Sequence, residues 1–151
     1  MMVYDFANCI EDSVREDVIT VLFMDVNCFN GDIVEKFMDI PEFSSEVTKI
    51  LESVPKKEML GSVQFIILPK MRRIFACAYV KDICKVNEET FEYDMDALDM
   101  CLLALKRKIR CPLAIVAPEA DTPELGAPFS YKVLDRVREV LDDKEIMVYF
   151  N

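Results

Sequence analysis

One run of apolar residues constrains the fold of this chain more than any other feature of its sequence. Val18–Val26 reads VITVLFMDV, a nearly continuous apolar stretch that is rich in β-branched side chains. Such a run is typical of a strand that is covered on both faces, as in sheets with helices packed on each side. We therefore expect a central buried strand here.

The rest of the chain alternates between helix-like and strand-like patterns. Apolar residues at helical spacing predict helices at Gly31–Met38, Ser45–Val54, Asp94–Ile109 and Ser130–Leu141. Asn30 and Ser130 are the predicted N-caps of the first and last of these. Short apolar runs predict further strands at Val63–Leu68, Arg73–Val80, Leu113–Ala117 and Glu145–Phe150. The alternation predicts one α/β domain over residues 1–151, with a mixed, largely parallel central sheet and helices on both faces.

Composition excludes several classes of function. The 151 residues include 18 Lys and Arg against 28 Asp and Glu, a net charge of −10. This balance argues against binding to nucleic acid or to an anionic membrane, because both need Lys and Arg to displace counterions. The chain has no His, which removes the usual general base, the usual zinc ligand and every Ser-His or Cys-His pair. We expect no catalytic residue, no metal and no cofactor.

The cysteines and the start of the chain bear on location. Six cysteines are present, and none of them forms a Cys-x-x-Cys pair. Residues Met1–Asn8 lack the basic and apolar regions of a signal peptide, and the longest apolar runs are too short for a transmembrane helix. We expect a cytoplasmic protein with reduced, half-buried cysteines.

Four stretches, in their order along the chain, resemble the macro domain, an ADP-ribose-binding α/β module. The first, VITVLFMDVNCFNGDIVEKF, delivers an Asn after a strand, and LGSVQFIILPKMRRIFACAYV is similar to the family's paired central strands. A family helix is similar to the third stretch, FEYDMDALDMCLLALK. The phosphate-loop strand, a helix and the terminal strand of the family are similar to the fourth, LAIVAPEADTPELGAPFSYKVLDRV with EIMVYF. The likeness covers most of residues 17–150. It is greatest to the compact branch with ADP-ribose-phosphate phosphatase-like and phage-encoded members, and it implies a three-layer sandwich.

The resemblance also implies a ligand site. In the family, an Asn that matches Asn27 contacts the ribose nearer the reactive end, and Cys28–Asp32 and Pro118–Phe129 correspond to the two phosphate loops. Phe150, with Tyr149, falls where an aromatic ring stacks on adenine. The implied ligand-binding residues are Asn27, Cys28, Asn30, Gly31, Pro118, Gly126, Ala127, Phe129 and Phe150. A structural interpretation stands beside this one, in which Asn27 completes a turn and the aromatic residues alternate along a terminal strand.

Three interpretations of function follow, of which the last is an enzyme acting on ADP-ribose-linked substrates with a carboxylate or a cysteine such as Cys28 as its base. In the first, the protein binds ADP-ribose or a related nucleotide without hydrolysing it, because no residue matches a catalytic position. In the second, the pocket has decayed, and an acidic surface docks a basic host protein, as in an inhibitor encoded by a virus or phage and acting in the host cytoplasm. The resemblance places Glu119, Asp121 and Glu124 of the second loop where a pyrophosphate would rest, so either these acids point to solvent or the loop does not hold a diphosphate. One carboxylate about 5 Å from a phosphate costs roughly 3 kcal/mol at an effective dielectric of about 20.

Overall fold

A computed structural model of the protein describes residues 1–6, 8, 10, 18–28, 30–82, 84, 93–116 and 126–150, with the backbone alone at 32 and 126–130. The strands are β1 (Met2–Asp5), β2 (Ile19–Asp25), β3 (Val63–Leu68), β4 (Arg73–Lys81), β5 (Leu113–Val116) and β6 (Ile146–Tyr149). The helices are α1 (Asp32–Met38), α2 (Pro41–Ser53), α3 (Lys56–Met59), α4 (Met95–Lys108) and α5 (Gly126–Val140).

The strands form one six-stranded sheet in the order β1-β6-β5-β2-β4-β3. Every neighbouring pair is parallel except β3 and β4, which are antiparallel and joined by a short 3-10 helix at Pro69–Met71. The predicted mixed, largely parallel sheet is therefore confirmed.

Helices cover both faces of the sheet and make a three-layer sandwich. On one face, α4 and α5 pack against the sheet through a buried cluster that includes Val21, Ala78, Leu102 and Val137. On the other face, α1, α2 and α3 pack through a second cluster that includes Leu22, Phe75, Phe37, Phe43 and Met59. The predicted α/β class and layer order are confirmed.

Strand β2 lies in the interior of the sheet, between β4 and β5, as its apolar run predicts. Val21 faces the α4–α5 layer, whereas Leu22 and Met24 face the α1–α2 layer, and each is no more than 2% exposed. Alternate residues of a strand point to opposite faces, so a strand covered on both sides must be apolar at nearly every position.

The parallel arrangement brings the carboxyl ends of five strands together along one edge of the sheet, which we call the carboxyl edge. It is formed by the ends of β1, β6, β5, β2 and β4 and by the described residues that follow β1, β2, β4 and β6. The pairing of β2 with β4 slips by one residue here, because Met24 lies opposite Tyr79 whereas Asp25 lies opposite Lys81. Such irregularities re-aim side chains, and this edge is where ligands bind in open α/β sheets.

Several predicted boundaries were wrong, with a shared physical reason. Helix α5 begins at Gly126 rather than at Ser130, and α2 begins at Pro41 rather than at Ser45. Both starts have proline in the first turn, where its missing N–H has no intrahelical acceptor in any case. The Asn30 cap was also wrong, since the N-cap of α1 is Gly31 and receives no side-chain bond. Strand β1 and helix α3 were not predicted.

The helices of the described part of the chain are all too short or too polar to cross a membrane.

Candidate functional site

The site begins with a buried carboxylate at the end of β2. Asp25 is 2% exposed, and its Oδ1 accepts hydrogen bonds from the Asn27 backbone N at 2.7 Å and from Asn27 Nδ2 at 3.2 Å. A carboxylate that accepts a backbone N–H two residues ahead forms a tight turn. Asp25 therefore holds both the main chain and the side chain of Asn27 at the carboxyl edge.

The side-chain amide of Asn27 is held by two other elements as well. Its Nδ2 donates to Asp82 Oδ1 at 2.7 Å, just after β4, and its Oδ1 accepts from Lys56 Nζ at 2.5 Å, at the start of α3. An ionised carboxylate only accepts hydrogen bonds and an ammonium only donates them. The carboxylates of Asp25 and Asp82 therefore bond to the NH2 group of Asn27, and the ammonium of Lys56 bonds to its oxygen, which fixes the orientation of the amide.

We call Asp25, Asn27, Asp82 and Lys56 the Asn27 network, and it joins two buried acids to an exposed base. Asp82 is 8% exposed, and its Oδ1 also accepts from the Cys84 backbone N at 3.1 Å. Burying a carboxylate costs free energy unless hydrogen bonds replace its lost water. The NH2 group of Asn27 supplies part of that replacement for both Asp25 and Asp82, so removing it should destabilise this part of the folded protein.

Cys28, the next residue, has an unusual backbone and a weakly acidic thiol. Its φ of 65° lies in the left-handed region, which costs a non-glycine residue about 1 kcal/mol or more. Burial, and then the carboxylates of Glu35 and Asp25, raise the pKa of the Cys28 thiol, against an opposing effect of Lys56. The thiol is therefore protonated at neutral pH and is a poor nucleophile.

Asn30 and Gly31 complete the first loop. Asn30 Oδ1 accepts from the Asp25 backbone N at 2.9 Å, whereas its buried Nδ2 has no hydrogen-bond partner within the described chain. Gly31 has an ordinary φ of −71°, and a Cβ placed on it would have no atom within 4 Å. Neither conformation nor crowding requires glycine there, and its missing side chain leaves open space in front of α1.

The other end of the carboxyl edge is aromatic. The Phe150 ring, just after β6, is stacked on the Phe6 ring with centroids 4.5 Å apart and planes inclined by 15°. The Tyr4 ring lies 5.8 Å from Phe150. Phe6 is 75% exposed, whereas Phe150 is 37% exposed. By contrast, Tyr149 is 7% exposed in the core beneath α1 and α2, which favours the structural interpretation for that residue.

The predicted second loop is shorter than expected. Gly126, Ala127 and Phe129, which the sequence pattern assigned to it, lie in the first two turns of α5. Pro118 falls outside the described residues, as do Glu119, Asp121 and Glu124. The described site thus consists of the Asn27 network and first loop at one end and the aromatic rings at the other.

Solved structures with the same architecture include several macrodomains. The chain aligns over 100% of its length with 99% of the macrodomain of Thermus aquaticus DarG, at 16% identity and a TM-score of 0.71. It aligns over 100% of its length with 99% of a macrodomain protein from Streptomyces coelicolor, at 13% identity and a TM-score of 0.68. Its 89% alignment with 38% of Thermosipho africanus DarTG, in complex with ADP-ribose, has 12% identity and a TM-score of 0.63.

These likenesses define the fold: the chain has the macrodomain fold, in a strongly divergent sequence. No protein-family model and no curated protein matches the sequence. The fold expected from the resemblance is confirmed, while the roles of individual residues rest on the geometry described above.

Sequence reasoning missed three members of the Asn27 network. Asp25 could have been singled out from the sequence, because it is the charged residue in the otherwise apolar run Val18–Val26. Lys56 and Asp82 lie 29 and 55 positions from Asn27 in the sequence, and no local pattern links them to it. Their convergence depends on the strand order, which places β2 beside β4.

Proposed function

We propose that this protein binds ADP-ribose, or a closely related nucleotide, along the carboxyl edge without hydrolysing it. The observation that carries the proposal is the fixed amide of Asn27, whose oxygen faces the ammonium of Lys56 at the edge where α/β sheets bind ligands. The macrodomain fold supports it, since one neighbour of that fold was solved in complex with ADP-ribose.

The two ends of the site suit the two ends of such a ligand. At the polar end, Asn27 Oδ1 can accept a hydrogen bond from a ribose hydroxyl. At the aromatic end, the stacked rings of Phe6 and Phe150 offer a flat apolar surface for a base. Base stacking on an aromatic side chain contributes about 1–3 kcal/mol. The open space at Gly31, in the first loop, leaves room for a phosphate to approach the backbone.

The state of the candidate bases and nucleophiles supports the proposal that the protein does not hydrolyse its ligand. The Cys28 thiol has a raised pKa and is protonated at neutral pH. Asp25 and Asp82 already accept hydrogen bonds from Asn27, and a general base must be within reach of the proton that it abstracts. The chain has no His, and the amine of Lys56 donates to the Asn27 oxygen.

Isothermal titration calorimetry with ADP-ribose tests the binding. We expect a saturable heat with one site per chain and a dissociation constant on the order of 1–100 µM, or about −8 to −5 kcal/mol. The absence of heat at millimolar ligand would remove the proposal. Chromatography after prolonged incubation with ADP-ribosylated model substrates tests the second half, because released ADP-ribose would reveal hydrolysis.

A second candidate function is favoured by one observation. Both polar atoms of the Asn27 amide already have partners inside the protein, as expected of an asparagine that serves only the fold. The protein would then use its acidic surface to bind a basic partner. In that case ADP-ribose produces no heat, and a stoichiometric complex with a basic host protein survives gel filtration at physiological salt.

A further inference from the structure

Strand β3 is the last strand of the described sheet, with β4 on its inner side. The Tyr79 backbone N donates to Ser62 O at 3.0 Å, and hydrogen-bonded pairs recur at every second residue of an antiparallel ladder. The backbone groups of Val63, Phe65 and Ile67 therefore point away from β4. No hydrogen bond reaches them from the residues that the structure describes.

The outer edge of β3 carries exposed apolar side chains. Ile66 and Leu68 belong to the cluster on the α1–α2 face, so the alternate residues of the strand face the α4 side. Among these, Phe65 is exposed, and Ile67 is 65% exposed. The strand reads VQFIIL, without a charged residue or a proline, whereas edge strands usually carry such residues to prevent pairing with another chain. This edge is therefore a template for a further strand.

The hairpin of β3 and β4 also differs in charge from the chain as a whole. No Asp or Glu occurs in residues 59–81, which contain Lys70, Arg72, Arg73 and Lys81. The hairpin is thus basic in a chain of net charge −10. Repulsion between copies of an acidic chain opposes their association, and a contact through this hairpin keeps their acidic side chains out of its centre.

Helix α4 gives the same edge two ends of opposite charge. It connects β4 to the parallel strand β5, so it runs back against β4 and in the direction of β3. Near its start, Cys101 Sγ donates to Ser62 O at 3.4 Å, just before β3. The first turn of α4 contains Asp96, and its basic last turn includes Lys108. The edge is therefore acidic at the start of β3 and basic at its end, where Lys70 follows.

We propose that β3 pairs antiparallel with β3 of a second copy of this chain, around a two-fold axis at Phe65. This pairing joins the two six-stranded sheets into one. Phe65 then lies opposite Phe65 of the second copy, and Ile67 lies opposite Val63 of the second copy, so all the outward-pointing backbone groups of the strand are paired.

The surface has the self-complementarity that such a two-fold contact requires. The apolar side chains of each β3 lie beside those of the other copy on the α4 side, where cross-strand contacts between them exclude water. The antiparallel arrangement also brings the basic end of each edge to the acidic end of the other. This inference does not depend on the proposed function, because it uses no residue of the nucleotide site.

A charged substitution on the edge tests the proposal against a matched control. Ile67→Lys places an ammonium on the outer edge, which natural edge strands use to block pairing. Tyr131→Lys makes the same change in charge at a residue on α5 that is 66% exposed, much as Ile67 is. Urea unfolding of both variants checks that the fold is retained, which we expect because both side chains are exposed.

Sedimentation equilibrium of the full chain at physiological salt, over about 1–200 µM, measures the association. We expect the mass of the unaltered protein to rise to twice the 17.4 kDa of one chain, with a dissociation constant on the order of 10 µM. Ile67→Lys weakens the dimer about a hundredfold or more, because each dimer loses two apolar contacts and gains two charges. Tyr131→Lys changes the dissociation constant by about twofold or less.

Amide hydrogen exchange of the unaltered protein locates the contact independently of any substitution. The Ile66 N–H points toward β4 and should be protected at every protein concentration. The Phe65 and Ile67 N–H groups point outward, and they should become protected only as the dimer forms.

Four outcomes overturn the proposal. A monomer at every concentration leaves the edge of β3 to a strand from another protein. Equal loss of association in the two lysine variants means that net charge controls association rather than the edge. A dimer in which the Phe65 and Ile67 N–H groups exchange rapidly uses a different surface. Growth beyond the dimer contradicts a closed two-fold contact.

Discussion

An Asp–Asn pair lies at each end of the carboxyl edge, and the two pairs differ in burial. Asp25 bonds to the backbone and side chain of Asn27 in the interior, and Asp5 bonds in the same two ways to Asn8 at the surface, with both distances 3.0 Å. Asp25 is buried and Asn27 half-buried, whereas Asp5 is half-buried and Asn8 exposed. The same chemistry is therefore a fixed part of the core at one end and a solvated turn at the other.

The difference extends to what surrounds each pair. The Asn27 network adds Asp82 and Lys56, so the polar end is rigidly hydrogen-bonded. The other end adds the Phe6 and Phe150 rings, which are partly exposed and are held against each other by stacking rather than by hydrogen bonds. We infer that the polar end sets the orientation of a ligand, while the aromatic end adds contact area with little directional preference.

The largest predicted effect is on stability at the polar end. Asn27→Leu removes the NH2 donor from two buried carboxylates, and we expect a loss of about 3 kcal/mol in the free energy of unfolding. Asn8→Ala is the matched control, because its pair is solvated, and it should cost less than about 1 kcal/mol. Urea denaturation of both variants measures the difference.

Similar losses for the two asparagine variants would contradict the proposed difference between the two ends. That result would mean that water reaches Asp25 and Asp82 in the folded protein, and that the Asn27 amide is not needed to satisfy them. If only one variant changes the slope of the free energy of unfolding against urea concentration, that variant has altered the unfolded state instead.

The second prediction concerns the aromatic end and is smaller. Phe150→Ala removes the ring that supports the stack, and we expect ADP-ribose affinity to fall about tenfold, or about 1.4 kcal/mol. Phe6→Ala should weaken binding by only about threefold, because it uncovers the Phe150 ring, on which a base can still stack. Calorimetry on the two variants decides; unchanged affinity in both would place the base elsewhere.

The third prediction compares two cysteines that flank the Asn27 network. Cys84 is exposed, whereas Cys28 is half-buried and its raised thiol pKa leaves less of it as thiolate at pH 7.5 than an ordinary thiol would have. We expect iodoacetamide to modify Cys84 at least about fivefold faster, as followed by peptide mass spectrometry. Because only the thiolate reacts and its pKa is raised, the rate at Cys28 should keep rising through alkaline pH.

A lysine variant sharpens the cysteine comparison. Burial, Glu35 and Asp25 raise the Cys28 pKa and Lys56 offsets part of that rise, so Lys56→Met should slow the reaction of Cys28 at pH 7.5 and leave the rate at Cys84 unchanged. Faster reaction of Cys28 in that variant would instead show that the lysine shields the thiol sterically.

The parts of the fold that the sequence could predict are those with a strong local pattern. Strand β3 has its predicted bounds, Val63–Leu68. Helix α4 differs from its prediction only at its caps: Asp94 is the N-cap and accepts from the Ala97 backbone N at 3.0 Å, and Ile109 is the C-cap. In both elements, periodicity and capping chemistry act within the segment itself.

The elements that were missed depend on distant partners. Strand β1 is only four residues long, and it is a strand because it pairs with β6 from the other end of the chain. In the same way, Asn27 could be singled out from its place after a strand, whereas its partners Lys56 and Asp82 meet it only once β2 and β4 are paired. Tertiary pairing of this kind leaves no periodic trace in a single sequence.

The most direct test of the binding site is a crystal structure of the protein soaked with ADP-ribose. The account predicts the ligand extended along the carboxyl edge, with a ribose hydroxyl within about 3.2 Å of Asn27 Oδ1 and the base against the ring stack of Phe6 and Phe150. Well-ordered crystals with an empty edge at millimolar ligand, or with the nucleotide on another surface, would contradict it.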